Sequence, residues 1–192
     1  NPPEYVAKLF ADVLATMQAR RDYNQVEELL EQALTHSSAS SVDGQPSLER
    51  LEFLGDRVLA LAIASELLRR FPAEEEGALS RRLSSLVSGE SLVRIAHELE
   101  ITHHIRAEFG ISNRCIPDSI LEDACEALIG AVYLDGGFAV AALLIGRLWN
   151  PLITVNPPSD AKTELQEWVQ ARGKKLPAYR TVATKRIFPS QL

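Results

Sequence analysis

The stretch Ser47–Leu68 reads SLERLEFLGDRVLALAIASELL, and the fold turns on how it is read. As a helix it sets Glu49, Glu52 and Asp56 at i, i+3 and i+7, three carboxylates on one face. Leu59, Ala60 and Ile63 continue that face, while Leu51, Leu54, Val58 and Leu61 occupy the others. A helix apolar on nearly all sides is expected to be buried. This one therefore carries acids into surroundings where an uncompensated charge is costly.

A second stretch repeats the anomaly. Ser119–Leu134, SILEDACEALIGAVYL, is apolar at Ile120, Leu121, Ala124, Cys125, Leu128, Ile129, Val132 and Leu134, yet Asp123 and Glu126 share a face. Two carboxylates about 4 Å apart repel by about 4 kcal/mol at an effective dielectric near 20. Four together take up protons or recruit a cation. By pattern, no Lys or Arg lies on either acidic face. An all-oxygen, carboxylate-rich set suits Mg²⁺ or Mn²⁺ and not zinc, and such sites serve in-line phosphoryl displacement. Acid pairs at this spacing are more often solvated helix faces, so the pattern alone leaves both readings open.

The rest of the chain frames these two helices. Its 192 residues are enough for one core and an appendage; 46% are apolar, 24% charged and only 6% aromatic. Ala, Leu, Glu and Arg dominate, which favours helix. Net charge is −6, but residues 160–192 carry seven Lys/Arg against three Asp/Glu, leaving −10 on the remaining 159. Cys115 and Cys125 form no C-x-x-C, and no Cys/His spacing suggests zinc. The apolar run Val58–Ala64 is too short to span a bilayer, and residues 5–18 are no signal peptide, so a cytoplasmic chain without a membrane partner is expected.

The periodicity predicts helices over residues 5–20, 27–34, 47–71, 79–87, 90–99, 119–134 and 138–149. Ser47 is the expected N-cap of the central helix, Pro72 its stop, and Gly136-Gly137 the end of the second acidic helix. Residues 37–46 and 102–118 read as loops, with His103 and His104 as loop residues. Pro151, Pro157 and Pro158 mark a linker, followed by an amphipathic helix to Gly173 and a short strand over Leu176–Val182.

LERLEFLGDRVL (48–59) resembles the signature of the ribonuclease III family, and ILEDACEALIGAVYLDGG (120–137) is similar to that family's second acidic motif. LLEQALTHSS (29–38) and RRLSSLVSGESL (81–92) match in the same order and spacing, so the resemblance spans residues 10–155. It implies an all-α endonuclease domain over 1–155, a helical bundle that cleaves double-stranded RNA with Mg²⁺ and works as a homodimer, with no organic cofactor. Glu52, Asp56, Asp123 and Glu126 match the metal-site acids; Glu52, Asp123 and Glu126 are implied as direct ligands, and Asp56 as one acting partly through water. Glu49 matches an acid lining the cleft, Glu76 an acid completing the partner subunit's site, and Phe53 an aromatic that inserts into the other subunit. Gly55 reads as a close-packing position.

Beyond a linker at 156–159, DAKTELQEWVQARGKKLPAYRTV (160–182) is similar to the start of a double-stranded RNA-binding domain. Thr163, Gln166 and Glu167 match positions facing the RNA minor groove. Such a domain needs about twice this length, so 160–192 is expected to supply only its first helix and strand, a truncated α/β segment. Departures from the family pattern sit at Leu48, at Asp22–Val26, at Ser37 and at Glu122, which adds negative charge beside Asp123. The implied products carry 5′-phosphate and 3′-hydroxyl ends with short 3′ overhangs, and the implied substrates are rRNA precursors and structured mRNAs. Two rivals remain at this level. A binding-only relative would be expected to have lost an acid, and a purely structural helical protein would show no Mg²⁺ dependence.

Overall fold

The computed structural model describes residues 23–39, 46–108, 116–154 and 161–175. The expected helix over 5–20, the strand over 176–182 and Cys115 lie outside the described residues. The architecture is helical: α1 (Tyr23–Ala33), α2 (Glu49–Arg70), α3 (Glu76–Leu86), α4 (Gly89–Glu98), α5 (Asp118–Trp149) and α6 (Ala161–Gln170), with 3₁₀ turns at Ile101–His103 and Asn150–Leu152. Among the described residues the only extended pairing is an isolated parallel bridge between Thr35 and Arg106. Contacts divide the chain into two compact units, Asn1–Pro157 and Pro158–Leu192.

The core of the first unit forms where α2 crosses α5, with α1 and α4 packed on α5. Leu51, Leu59, Ile63 and Leu67 of α2 meet a seam of Leu121, Ala124, Leu128 and Val132, residues repeating at helical spacing and all excluded from water. Trp149 closes the end of the core, fully buried, its indole N–H donating to the Leu86 carbonyl at 2.7 Å. That bond satisfies the one polar atom of the ring, which permits the burial.

Several boundaries differ from expectation. The N-cap of α2 is Leu48, not Ser47; Leu48 is only 1% exposed, so its side chain belongs to the core while the Ser47 hydroxyl turns to the Glu49 carboxylate. Residues 37–39 are helical rather than loop. α3 starts at Glu76, three residues before the apolar pattern begins. α4 starts at Gly89, behind Ser88, whose hydroxyl accepts from the Ser91 amide. The break expected at Gly136-Gly137, by contrast, is present: α5 is interrupted at Gly137 (φ 76°, ψ 179°), with a helical segment on either side. That backbone conformation requires glycine.

α2 is not buried all round. Phe53, Leu61 and Leu68 are 64, 57 and 62% exposed. They fall along one side of the rod, opposite the face that meets α5. The membrane question turns on α5 and not on the run Val58–Ala64. With its trailing turn (Asp118–Leu152) α5 is the one described helix long and apolar enough, by length and composition, to cross a membrane. Half of that apolar window is buried inside the bundle, where its residues form the core.

Candidate active site

The acids are brought together by two glycines. A Cβ on Gly55 would lie 1.8 Å from the Glu126 carbonyl oxygen, and one on Gly130 would lie 2.2 Å from the Leu51 carbonyl oxygen. No side chain fits at either point, so the backbones of α2 and α5 touch there. Gly55 stands between Glu52 and Asp56, and Gly130 one turn beyond Glu126. The crossing therefore sets Glu126 against Glu52 and Asp56, with Asp123 one turn earlier on the same face of α5.

The charges respond to that crowding. Burial, and then repulsion from Asp56, Glu52, Asp123 and Glu122, pushes the Glu126 carboxyl up to about 7. Burial also raises Glu52, reinforced by Asp123, Glu49 and Asp56. Asp123 is raised by burial; the nearby His36 works in the other direction and Glu49 adds to the rise. Glu49 is exposed and differs: burial pushes it up, but hydrogen bonds from Ser47, its own backbone and Ser37, together with His36, bring it below the usual carboxylate range.

The expectation that no basic group meets the acids is corrected. Arg57 donates to the Asp56 carboxylate, its guanidinium lying 4.5 Å from the Phe53 ring centroid. A long side chain can fold back along its own helix, which residue spacing does not reveal. His36 is a second basic neighbour, anchored by its amide donating to the Arg106 carbonyl at 2.9 Å and by Nδ1 accepting from the Ser38 amide at 3.2 Å. Glu122, flagged for its charge, has its carboxylate against Gly89 at the start of α4.

Among the described residues, no three His, Cys, Asp or Glu side chains converge closely enough to hold an ion in the rotamers of this structure. The donor set nevertheless suits a hard divalent cation. It is made only of oxygens, and Glu126, Glu52 and Asp123 are all raised by burial and by other carboxylates. Cys125 is no rival ligand: it is fully buried and its thiol is pushed far up by burial.

Within the first unit, Glu76 and Phe53 are not among the residues that the crossing brings together. Glu76 is exposed at the first turn of α3, its carboxylate accepting from the Ser80 hydroxyl at 2.7 Å. Phe53 projects outward. In the second unit Gln166 is half-buried on α6, and the side chains of Thr163 and Glu167 lie outside the described residues. His103 is exposed in a 3₁₀ turn. Sequence reading missed Arg82, which is 2% exposed. Its signal was there: Leu79, Arg82 and Leu86 share one helical face, placing a charge inside an apolar stripe.

An all-helical bundle with carboxylates massed at one helix crossing defines the class, and similarity to known proteins identifies the family. Residues 26–152 match the family model described as Ribonuclease-III-like. A ribonuclease 3 from Methylocella silvestris is 43% identical over 174 residues, covering 88% of this chain and 74% of the relative. One from Variovorax paradoxus is 48% identical over 163 residues, covering 81% and 69%. The nuclease domain of the Campylobacter jejuni ribonuclease III, whose region involved in dimer formation shows structural flexibility, superimposes with a TM-score of 0.65 at 34% identity, covering 76% of this chain and 96% of that one. The Dicer of Pichia stipitis gives 0.52 at 25% identity over 83% and 74%. The chain belongs to the ribonuclease III family, a family of endoribonucleases.

Proposed function

We propose that this chain hydrolyses phosphodiester bonds of double-stranded RNA as a homodimer, using a divalent cation, with Mg²⁺ first and Mn²⁺ as a substitute. The observation that carries the reading is the contact of Gly55 with Glu126, which forces Glu52, Asp56, Asp123 and Glu126 into mutual repulsion. Glu52, Asp123 and Glu126 would hold the cation, with Asp56 acting partly through water. When bound, it supplies an activated water and neutralises developing charge on the phosphoryl group. Without a cation the Glu126 carboxyl is pushed up to about 7, and a bound divalent cation would relieve that repulsion and hold the carboxylate ionised. Glu49 lines the approach of the RNA strand, with its carboxylate kept ionised by Ser47, Ser37 and His36.

The exposed α2 stripe of Phe53, Leu61 and Leu68 suits a second copy of the same helix, and the Campylobacter relative forms dimers. Glu76, directed outward, would complete the partner's site. Two sites on opposite strands would leave short 3′ overhangs with 5′-phosphate and 3′-hydroxyl ends. Residues 1–155 form the catalytic domain in this reading, 156–159 the linker, and 160–192 belong to an RNA-binding segment contributing Thr163, Gln166 and Glu167. The substrates are rRNA precursors and structured mRNAs in the cytoplasm.

The test is cleavage of a long RNA duplex by the protein and by Glu126→Gln, with and without Mg²⁺. Cutting by the unaltered protein alone, in Mg²⁺ alone, with 5′-phosphorylated products, is the expected result. Cutting by both proteins, or by neither, contradicts the mechanism.

A further inference from the structure

We propose that Arg82 is the positioning residue for Glu76: by locking the corner between α2 and α3 it sets how Glu76 is presented, and so acts on the partner subunit's site rather than its own. The inference rests on the reading of Glu76 as completing that partner site.

Arg82 is the only charged residue of the described chain counted among the buried ones, at 2% exposure. Its guanidinium ties three segments together. Nε and Nη2 donate to the two Glu74 carboxylate oxygens at 2.7 and 2.6 Å, and Nη1 donates to the Thr154 carbonyl at 2.8 Å. The guanidinium carbon lies 3.7 Å from the centroid of the Phe71 ring. Phe71 is the C-cap of α2, Glu74 sits in the corner, and Thr154 follows the last turn after α5. The planar fork supplies every one of these contacts at once, which an ammonium or an apolar side chain cannot do.

The corner spans residues 71–75, and α3 opens at Glu76. Fixing Phe71 and Glu74 therefore fixes the start of α3. Positions 76 and 82 are six residues apart, on different sides of the helix. Arg82 anchors the inward side, and Glu76 lies exposed on the outward one, its carboxylate steadied by Ser80. The same anchor is remote from its own subunit's acids. Asp56 and Phe71 lie fifteen residues apart along one rod, which is about 22 Å at 1.5 Å per residue. A loosened corner would displace Glu76 and leave the α2–α5 crossing intact.

Mixed dimers with differently tagged subunits separate the two sites. In the first arrangement one subunit carries Arg82→Lys together with Glu126→Gln and its partner is unaltered, so the sole cutting site is completed from the loosened corner. In the second, Arg82→Lys is in one subunit and Glu126→Gln in the other, so the cutting site is completed from an intact corner. Cleavage of a long RNA duplex in Mg²⁺ should fall by about tenfold to a hundredfold in the first arrangement. It should match the single Glu126→Gln mixed dimer in the second. Equal rates, or the reverse order, overturn the proposal; a general loss of folding would weaken both arrangements. Glu76→Gln in the same two arrangements tests the underlying reading. If it shows no such asymmetry, Glu76 does not act in trans; if it does and Arg82→Lys does not, Arg82 is no positioning residue. Should Arg82→Lys not fold, Glu74→Gln loosens the same corner with Arg82 retained, and the same asymmetry is required of it.

Discussion

Gly55 lies directly against the backbone carbonyl of Glu126, at a distance that leaves no room for even one methyl group. Everything acidic in the candidate site depends on that contact, because it decides how far α5 stands from α2. Gly55→Ala would force a Cβ to within 1.8 Å of a backbone oxygen that cannot rotate away. The helices must then separate. The expected cost is about 1–3 kcal/mol in urea unfolding, with cleavage of duplex RNA reduced on the order of a hundredfold as the acids lose register. Unaltered cleavage by a stable variant would show that the crossing does not set the site.

The Glu126 carboxyl gives the stability a defined pH dependence. Its folded value is about 7 against 4.5 for the free group. Between those values the folded chain keeps a proton that the unfolded chain has released, so this contribution to stability is full below about 4.5 and is lost as pH rises to about 7. In buffer freed of divalent cations the protein should therefore unfold at lower urea at pH 8 than at pH 5. Glu126→Gln should flatten that slope, and Mg²⁺ should restore stability at pH 8 for the unaltered protein but much less for the variant. A flat profile in the unaltered protein would contradict the crowding of the acids.

The helices that bear the acids were legible because their periodicity is strong and uninterrupted. The break at Gly136-Gly137 was legible because glycine alone readily takes the positive φ found at position 137. The burial of each face was not. Phe53, Leu61 and Leu68 have the same chemistry as Leu59 and Ile63, and only the neighbours of α2 decide which set meets water. The N-cap failed for a related reason: Ser47 has the capping chemistry, but Leu48 has a place in the core, and burial outweighs one hydrogen bond. Arg82 and Glu74 are eight residues apart, and Thr154 is seventy-two from Arg82. No local pattern announces such a partner.

Phe53 is 64% exposed in the single chain, with Arg57 over its ring. Phe53→Ala should thus leave the subunit's own fold nearly unchanged. If two α2 helices pair, each side chain buried contributes about 2–3 kcal/mol, and the loss of two copies should weaken dimerisation on the order of a thousandfold. Sedimentation at micromolar concentration should show monomer for the variant and dimer for the unaltered protein, with cleavage falling in proportion. A dimer that survives Phe53→Ala at that concentration would place the interface elsewhere.

Gly89 offers the contrast to Gly55. A Cβ there would come within 2.5 Å of the Glu122 carboxylate, but that group is the far end of a flexible side chain. It can swing aside, and alanine favours helix, so Gly89→Ala should stay within about 1 kcal/mol of the unaltered protein. The carboxylate itself has the larger consequence. Glu122 is one of the charges that oppose ionisation of Glu126, so Glu122→Ala should move the Glu126 titration downward. Carboxyl NMR would read that shift directly. Divalent-cation affinity should fall in the same variant, since the removed carboxylate attracts a doubly charged ion more strongly than a proton. An unchanged Glu126 titration in Glu122→Ala would mean that the start of α4 already screens the extra charge completely.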